Sequence, residues 1–519
     1  MLTLTTTIRS TLTRQLLLIS SRRPHHFPQS PFDVSKRSYG DERNLIQLFR
    51  DISDRSTRDR VRKNFDEEQN KNSTRISAAK LTSAFCRTYL SLPDTSLSQW
   101  RMGGGQQTDQ KRQFLKVIFD EYTTDKNEVS SVIKSMQSQD LSDKSIHRLR
   151  DLCVAPYERS FHYILHSAQN DLGVAFLVKL RQDILNCMKY EYTEKGQQYE
   201  LQAAQRCIQT FLTSLFRPGV LNLERITYDN TPAAIIEQIA RKEAVHPVQS
   251  LNDLRQRLGP GRRCFAFFHP ALPQRPLVFV HVSLLQQIPD CMEQIQIGSE
   301  KIVQGIDTEH DASCATFYSI TNTEPGLAGV DLGNHLIKHV VKQLKEELPK
   351  LDTFCTLSPI PNLSKWLQGK IAIHQSIRDD NEMIFTTKDM ELLERIFPHS
   401  SGNSPLGLLL ETLQMPQWHT NIQLVASLKP FLLKLAAYYL TIDTHHGRPL
   451  CPVAKFHIRN GAEMFRLNYM ADTTNKGMRN SYGLMINYRY PLEEIEENHA
   501  RYEMTGKIKV NDGVNCWLQ

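Results

Sequence analysis

A chain of 519 residues with 40% hydrophobic and 8% aromatic content is long enough for roughly two to four domains, each with a core of its own, which excludes a tail or a low-complexity segment. The formal charge is +7, but Arg9, Arg14, Arg22, Arg23, Lys36 and Arg37 against Asp33 place +5 of it in the first 40 residues. The +2 left over excludes a general nucleic-acid or anionic-membrane footprint.

Residues 1–32 hold no acidic residue, many Ser and Thr, and arginines set among Leu12, Leu16, Leu17, Leu18 and Ile19. This composition predicts a mitochondrial transit peptide over residues 1–42; a secretory signal would carry a compact apolar core ending in small residues. Arg37-Ser38-Tyr39 resembles a matrix-processing site, so cleavage is expected near Tyr39, with a disordered basic tail as the alternative. The chain ends Trp517-Leu518-Gln519 without a peroxisomal address. A matrix location is therefore expected, with a cytosolic form if the first residues are absent.

Residues 43–216 are polar, with few strand signals, and predict an all-helical bundle. Leu177, Leu180, Ile184 and Met188 repeat at helical spacing behind Asp171, a predicted cap. Gly103 to Gly105 read as a loop, because neither a preceding strand nor a following Lys-Ser/Thr marks a phosphate cradle. After Arg217-Pro218-Gly219 the texture becomes β-rich and predicts a second domain over residues 217–519. Cys264–Phe268, Leu277–Val282 and Ala315–Ile320 are strand-like runs. Leu336, Val340, Leu344 and Leu348 mark a helix that stops at Pro349, and a short strand follows at Phe354–Leu357. Helix returns between about 362 and 445; its most apolar run, Phe431–Ile442, is interrupted by Lys434, so no membrane span is expected. In the final section Asn460-Gly461 predicts a hairpin, and Met464–Tyr469 alternates as a strand does. The fold class predicted from this order is α+β.

The ten cysteines are scattered, with no Cys-x-x-Cys pair and no Cys/His set at zinc spacing, and read as reduced, mostly buried thiols. A regulatory or intersubunit disulfide is the minority reading. His246 and the pair His445-His446 have no metal-like partners and read as loop or packing residues.

Two features carry chemistry. The turn Pro325-Gly326-Leu327-Ala328-Gly329-Val330-Asp331-Leu332-Gly333-Asn334 joins a strand to a helix, where unpaired amides and the helix dipole suit a pyrophosphate. Its spacing is neither GxGxxG nor a P-loop, so a plain tight connection is an equal reading, and Asp331 is as readily a cap as a ligand. Ser358 sits before Pro359, which forces extended geometry and aims the hydroxyl out of the end of the sheet. His457 lies in an apolar, strand-like segment, where a structural histidine is the more frequent reading. No Gly-x-Ser-x-Gly elbow surrounds Ser358, so an esterase triad is not supported.

Taken in order, Ala244-Val245-His246-Pro247, Phe317-Tyr318-Ser319-Ile320, Gly326 to Lys338, Leu357-Ser358-Pro359-Ile360-Pro361, Pro452 to His457 and Asn487-Tyr488-Arg489-Tyr490 closely resemble the malonyl-CoA decarboxylase family. The resemblance covers residues from about 150 to 495; residues 45–150 match loosely. It implies a helical domain that mediates homo-oligomer contacts, possibly a tetramer, and a C-terminal domain of the GNAT acetyltransferase type, whose mixed sheet splays to admit the CoA arm. It implies Ser358 and His457 as catalytic residues. It also implies Ala328, Gly329, Val330, Asp331, Leu332, Gly333 and Asn334 as the CoA-binding turn, and Ser319, Asp331 and Tyr490 as malonyl contacts. Three departures are visible: Asp331 stands where the family commonly has Glu, the chain ends soon after Gly506-Lys507-Ile508, which implies a shortened or replaced C-terminal helix, and the peroxisomal ending common in the family is missing, which favours a mitochondrial pool.

The expected reaction is loss of CO2 from malonyl-CoA to give acetyl-CoA, in the regulation of fatty acid metabolism. No metal and no biotin are expected, and no lysine lies in a Met-Lys-Met context. The small-molecule partner is a CoA thioester. Whether methylmalonyl-CoA is also accepted is left open. An acyltransferase using CoA and a non-catalytic malonyl-CoA sensor are the competing readings.

Overall fold

The protein is described by a computed structural model covering residues 44–62, 78–92, 105–138, 142–169, 171–190, 195–306, 308–376, 384–398 and 404–518. The expected transit peptide lies outside the described residues, as do Gly103 and Gly104; Gly105 opens a helix rather than a loop.

Helices α1 (Asn44–Arg62), α2 (Ala78–Ser91), α3 (Gly105–Glu121), α4 (Lys126–Ser138), α5 (Asp143–Leu152), α6 (Pro156–Ser167), α7 (Leu172–Tyr190) and α8 (Lys195–Leu215) make up the first part of the chain. In α7, Leu177, Leu180 and Ile184 are buried at the expected helical spacing. Phe176 on the same helix packs edge-on to Phe85 and Tyr89, with centroids 5.0 Å apart in both pairs. Asp171 precedes α7 with φ 55° and takes the amides of Val174 and Ala175 on its backbone carbonyl.

Beyond residue 217 the chain builds a nine-stranded sheet from β1 (Asn222–Ile226), β2 (Arg262–Phe268), β3 (Val278–Leu285), β4 (Cys314–Asn322), β5 (Thr353–Thr356) and β6 (Ser358–Pro359). A small hairpin, β7 (Thr444–His445) with β8 (Arg448–Pro449), stands apart, and β9 (Glu463–Asn468), β10 (Met485–Arg489) and β11 (Val510–Asn511) complete the sheet. The strand order is β1-β2-β3-β4-β5-β10-β9-β11, with β6 pairing β10. Within it β4–β5 and β9–β11 are parallel and the other pairs antiparallel. The α+β expectation therefore holds.

The central strands read as unbroken apolar runs because both faces are covered. Helices α9 (Ala233–Lys242) and α10 (Leu251–Leu258) pack with Cys264, Ala266, Phe268 and Phe279 on one face. The other face meets α12 (Leu332–Glu347), while α11 (Met292–Val303) lies against β3. That second face is continuous with the core of the helical region, so one hydrophobic cluster runs from Leu45 to Val514.

Helices α13 (Leu363–Ser376), α14 (Thr387–Ile396), α15 (Pro405–Gln414) and α16 (Ile422–Thr441) form the later helical stretch. By length and composition α16 passes as a membrane span, but half of its apolar window is buried inside the protein. Its Lys434 pairs with Asp389 of α14 at 2.5 Å, and Leu428, Phe431, Leu432, Leu435 and Tyr439 are among its buried residues.

Next come α17 (Pro452–Arg459), α18 (Asn475–Ser481), α19 (Ile495–Thr505) and α20 (Asp512–Asn515). Two expectations fail at α17. The segment around His457 is this helix, not a strand, started by Pro452 in the first turn. Asn460-Gly461 is its C-terminal stop, not a hairpin: Gly461 has φ +80°, and the amides of Gly461 and Ala462 turn back onto the carbonyls of Ile458 and His457. Hairpin turns and helix stops both require positive φ, so the dipeptide alone does not separate them.

A Cβ on Gly461 would also lie 2.2 Å from the Ile495 carbonyl oxygen. Gly461→Ala is therefore expected to lower unfolding stability by more than about 1 kcal/mol. Gly219→Ala, with nothing within 4 Å of its added carbon, should leave stability unchanged in the same denaturant titration.

Candidate active site

The Ser358 position follows from how β5 leaves its neighbour. Strand β4 carries an extra residue opposite His281/Val282, a bulge at Tyr318, and its parallel pairing with β5 stops at Phe317↔Thr356. The amide of Leu357 still reaches the Phe317 carbonyl at 3.3 Å. One residue later Ser358 pairs with Ile486 of β10 instead. Its hydroxyl does not leave the end of the sheet; Ser358 is 6% exposed.

The Ser358 hydroxyl donates to Thr356 Oγ1 at 2.8 Å and lies 3.3 Å from His457 Nε2. The other ring nitrogen, Nδ1, is 2.7 Å from the Tyr490 hydroxyl. With the serine proton on Thr356, the consistent pattern is a neutral ring that donates from Nε2 and accepts at Nδ1. The amide of Tyr488 donates to Thr356 Oγ1 at 3.2 Å, and the Asn487 side chain donates to the Thr356 carbonyl at 2.8 Å. Thr356 is thereby fixed from β10.

His457 is on the buried face of α17, three residues after Ala454. The Tyr488 ring stacks on the imidazole at 4.5 Å and 23°. Burial without a charged partner pushes the imidazole down to about 3, and burial likewise pushes the Tyr490 phenol up.

The glycine turn reaches the same helix. Gly333 packs against the Phe456 ring, where an added Cβ would lie 3.0 Å from the nearest ring carbon. Val330 and Leu332 are buried, whereas Ala328, Gly329 and Asp331 are exposed and Gly333 and Asn334 are half-buried. Asp331 occupies the cap position of α12 but accepts no backbone amide; instead the Asn334 side chain donates to its carboxylate at 3.3 Å. The first amides of α12 thus keep no side-chain cap.

Ser319 is not joined to this group by a hydrogen bond. Its hydroxyl donates to Glu243 (2.7 and 2.8 Å), a buried carboxylate that also takes the amides of Val245 and His246. His281 Nε2 is 3.6 Å from the same carboxylate. Burial first, then Arg257, Arg262 and His246, hold that imidazole well below its usual range. Sequence reasoning missed Thr356, Tyr488, Glu243 and the helical-region residues that hold the turn. Thr356 was open to discovery, since strand alternation places it on the same side as Ser358.

Residues 219–519 match the family model described as the malonyl-CoA decarboxylase C-terminal domain, and residues 122–216 match its N-terminal domain. The chain belongs to the malonyl-CoA decarboxylase family. Members of the family are carboxy-lyases. The malonyl-CoA decarboxylase, mitochondrial, of Anser anser anser is 38% identical over 351 residues, which are 67% of each chain. That of Mus musculus is 38% identical over 369 residues, 71% of this chain and 72% of its own. The crystal structure of malonyl-CoA decarboxylase from Rhodopseudomonas palustris superposes with TM-score 0.69 at 31% identity, over 92% of this chain and 99% of that one. The Agrobacterium vitis structure gives 0.68 at 28% identity, over 92% and 100%.

A histidine with a folded pKa near 3 against 6.5 when unfolded binds a proton only in the unfolded chain between those values. Its contribution to stability is thus complete above about pH 6.5 and is lost as pH falls toward 3. Each such proton gives a slope of about 1.4 kcal/mol per pH unit. His457→Asn is expected to flatten the rise of unfolding free energy between pH 4 and 6 by up to about this amount. An unchanged slope would mean that the imidazole is not buried in its neutral form.

Proposed function

We propose that this chain decarboxylates malonyl-CoA to acetyl-CoA and CO2, with Ser358 and His457 as the catalytic pair and no requirement for metal or biotin. The observation that carries the reading is the 3.3 Å approach of Ser358 Oγ to His457 Nε2 on a helix whose preceding residue, Phe456, packs on Gly333 of the turn. A thioester whose CoA phosphates lie at the amides of Gly333 and Asn334 would bring its acyl end toward that pair.

A GNAT-type reading of the domain is supported by three features together: the β4 bulge at Tyr318, the β4–β5 pairing that ends at Phe317↔Thr356, and the turn from β4 into α12. In that reading the acyl arm enters between the parting strands. A mitochondrial location, in the matrix, is supported by the acid-free basic N-terminal composition and by the relatives named mitochondrial. A role in fatty acid metabolism and homo-oligomer formation through the helical region belong to the same proposal.

In the proposed route the malonyl carboxylate reaches the buried pair, and its charge raises the affinity of the neighbouring imidazole for a proton. The Tyr490 hydroxyl serves both states, donating to neutral Nδ1 and accepting from it once protonated. When the carbon–carboxylate bond breaks, its electron pair passes to the α-carbon and is delocalised onto the thioester oxygen as an enolate. Hydrogen bonds from Ser358 and from backbone amides hold that charge. His457 then delivers the proton from Nε2 to the α-carbon, giving the methyl of acetyl-CoA.

With malonyl-CoA as sole substrate, purified protein should release CO2 and form acetyl-CoA. An acyltransferase would need an added acceptor, and a sensor would bind without turnover. His457→Ala is expected to lower kcat by about 10² to 10⁴ with CoA affinity little changed, and a variant with near-normal kcat would remove His457 from the route. The pH profile of kcat should show an alkaline limb with an apparent pKa well above 3, because the substrate carboxylate shifts the imidazole upward. A limb of the same pKa in His457→Gln would assign it to another group.

A further inference from the structure

The turn is held from outside its own domain. Gly326 lies directly on the α7 backbone: an added Cβ would be 1.9 Å from the Val178 carbonyl oxygen. One turn of helix further on, Arg181 is 2% exposed, and its Nη1 donates to the Gly326 carbonyl at 2.5 Å. Its Nε and Nη2 donate to the backbone carbonyl and the side-chain oxygen of Gln205, both at 3.3 Å. From α8, Gln209 donates to the Gly329 carbonyl at 3.1 Å. Two of the turn's carbonyls are thus taken up by side chains of the helical region, while Ala328, Gly329 and Asp331 stay exposed.

The charge of Arg181 has no acidic counterpart. Among the described residues its hydrogen bonds end on neutral oxygens only, and no ion pair includes it. Its helix neighbour Lys179 and the distant Lys111 both pair with Asp183, so the nearby carboxylate is already shared by two lysines. A guanidinium out of water without an anion is costly unless a charge arrives with a ligand. Arg181 Nη2 would lie 4.0 Å from a Cβ on Gly329, an exposed residue of the turn with φ +79°. The cation therefore stands just behind Gly329, in the same turn whose Gly333 and Asn334 amides the proposed function gives to the CoA phosphates.

We propose that Arg181 is a positioning residue for the nucleotide part of the substrate: it fixes the turn through Gly326 and supplies, from behind, the positive charge that the CoA phosphates balance. The proposal rests on the reading of the turn as the CoA site. It gives the helical region a part in substrate affinity, because Arg181 and Gln209 belong to α7 and α8.

The test uses the full chain and two substrates, malonyl-CoA and malonyl-pantetheine, the second lacking the nucleotide and its phosphates. Arg181→Met is expected to raise KM for malonyl-CoA about tenfold with kcat nearly unchanged, and to leave kcat/KM for malonyl-pantetheine as it was. Arg181→Lys, which keeps the charge but not the planar fork, should recover part of the loss. Gln209→Ala, at a half-buried position, should move KM for malonyl-CoA in the same direction by a smaller factor. It decides the matter alone if Arg181→Met does not fold. An equal loss on both substrates, or no change in KM, overturns the inference. Failure of the underlying reading looks different: wild-type protein would then use malonyl-pantetheine as well as malonyl-CoA.

Discussion

Everything at the candidate site depends on one buried imidazole being held from both nitrogens beneath an aromatic ring. His457 receives Tyr490 on Nδ1 and faces Ser358 from Nε2 while Tyr488 covers its plane. The contacts come from β6, from β10 and from the residue that follows β10, so the ring cannot turn without breaking one of them. Tyr488 and Tyr490 stand two residues apart near the end of β10, and Ser358 pairs with Ile486 on the same strand. Strand β10 is thus the common support of serine, histidine and tyrosine, and the alignment is a matter of sheet register as much as of side-chain choice. A one-residue slip in that register would put the rings on the wrong face.

The helical and β-rich parts of the chain also depend on each other. One cluster of buried residues spans both, and Gly326 lies directly against the Val178 backbone. This explains a glycine at a position where φ makes no demand for one: the helix backbone occupies the space a side chain would need. It also ties the turn's conformation to α7 and α8, so a lesion in the helical region far from Ser358 has a physical route to the turn.

Much of this was legible in the sequence, and the failures have two causes. The helix α12, its stop before Pro349 and the strands on either side followed from periodicity, because those segments are long enough for a period to show. The eight residues of α17 are not. Pro452 to Arg459 offers barely two turns, Ala454, Phe456 and Ile458 alternate with polar residues as in a strand, and the glycine that ends it mimics a hairpin. His457 was therefore found through family resemblance, while its helical setting was missed. The pairing of Ser319 with Glu243 was invisible for another reason: the two residues lie 76 positions apart and meet only because β4 and the end of α9 share one face of the sheet. Arg181 was hidden in the same way, an ordinary basic residue in a helix until the fold brings it to a glycine carbonyl 145 positions away.

The burial of Ser358 and His457 suits the proposed chemistry through the change in charge distribution during the reaction. A malonyl carboxylate carries its charge on two oxygens, whereas the state that follows CO2 loss spreads it over the enolate carbon and the thioester oxygen. Removing water weakens solvation of the compact charge more than of the dispersed one, and fixed donors take over where the new charge appears. The same burial depresses the imidazole in the empty site, so a protonated ring is stable there only when an anion shares the pocket. On this reasoning the proton donor is armed by the substrate it will protonate and stays neutral otherwise. That removes the need for a permanent acidic partner on Nδ1, the position an aspartate takes in hydrolytic triads, and accounts for a tyrosine there.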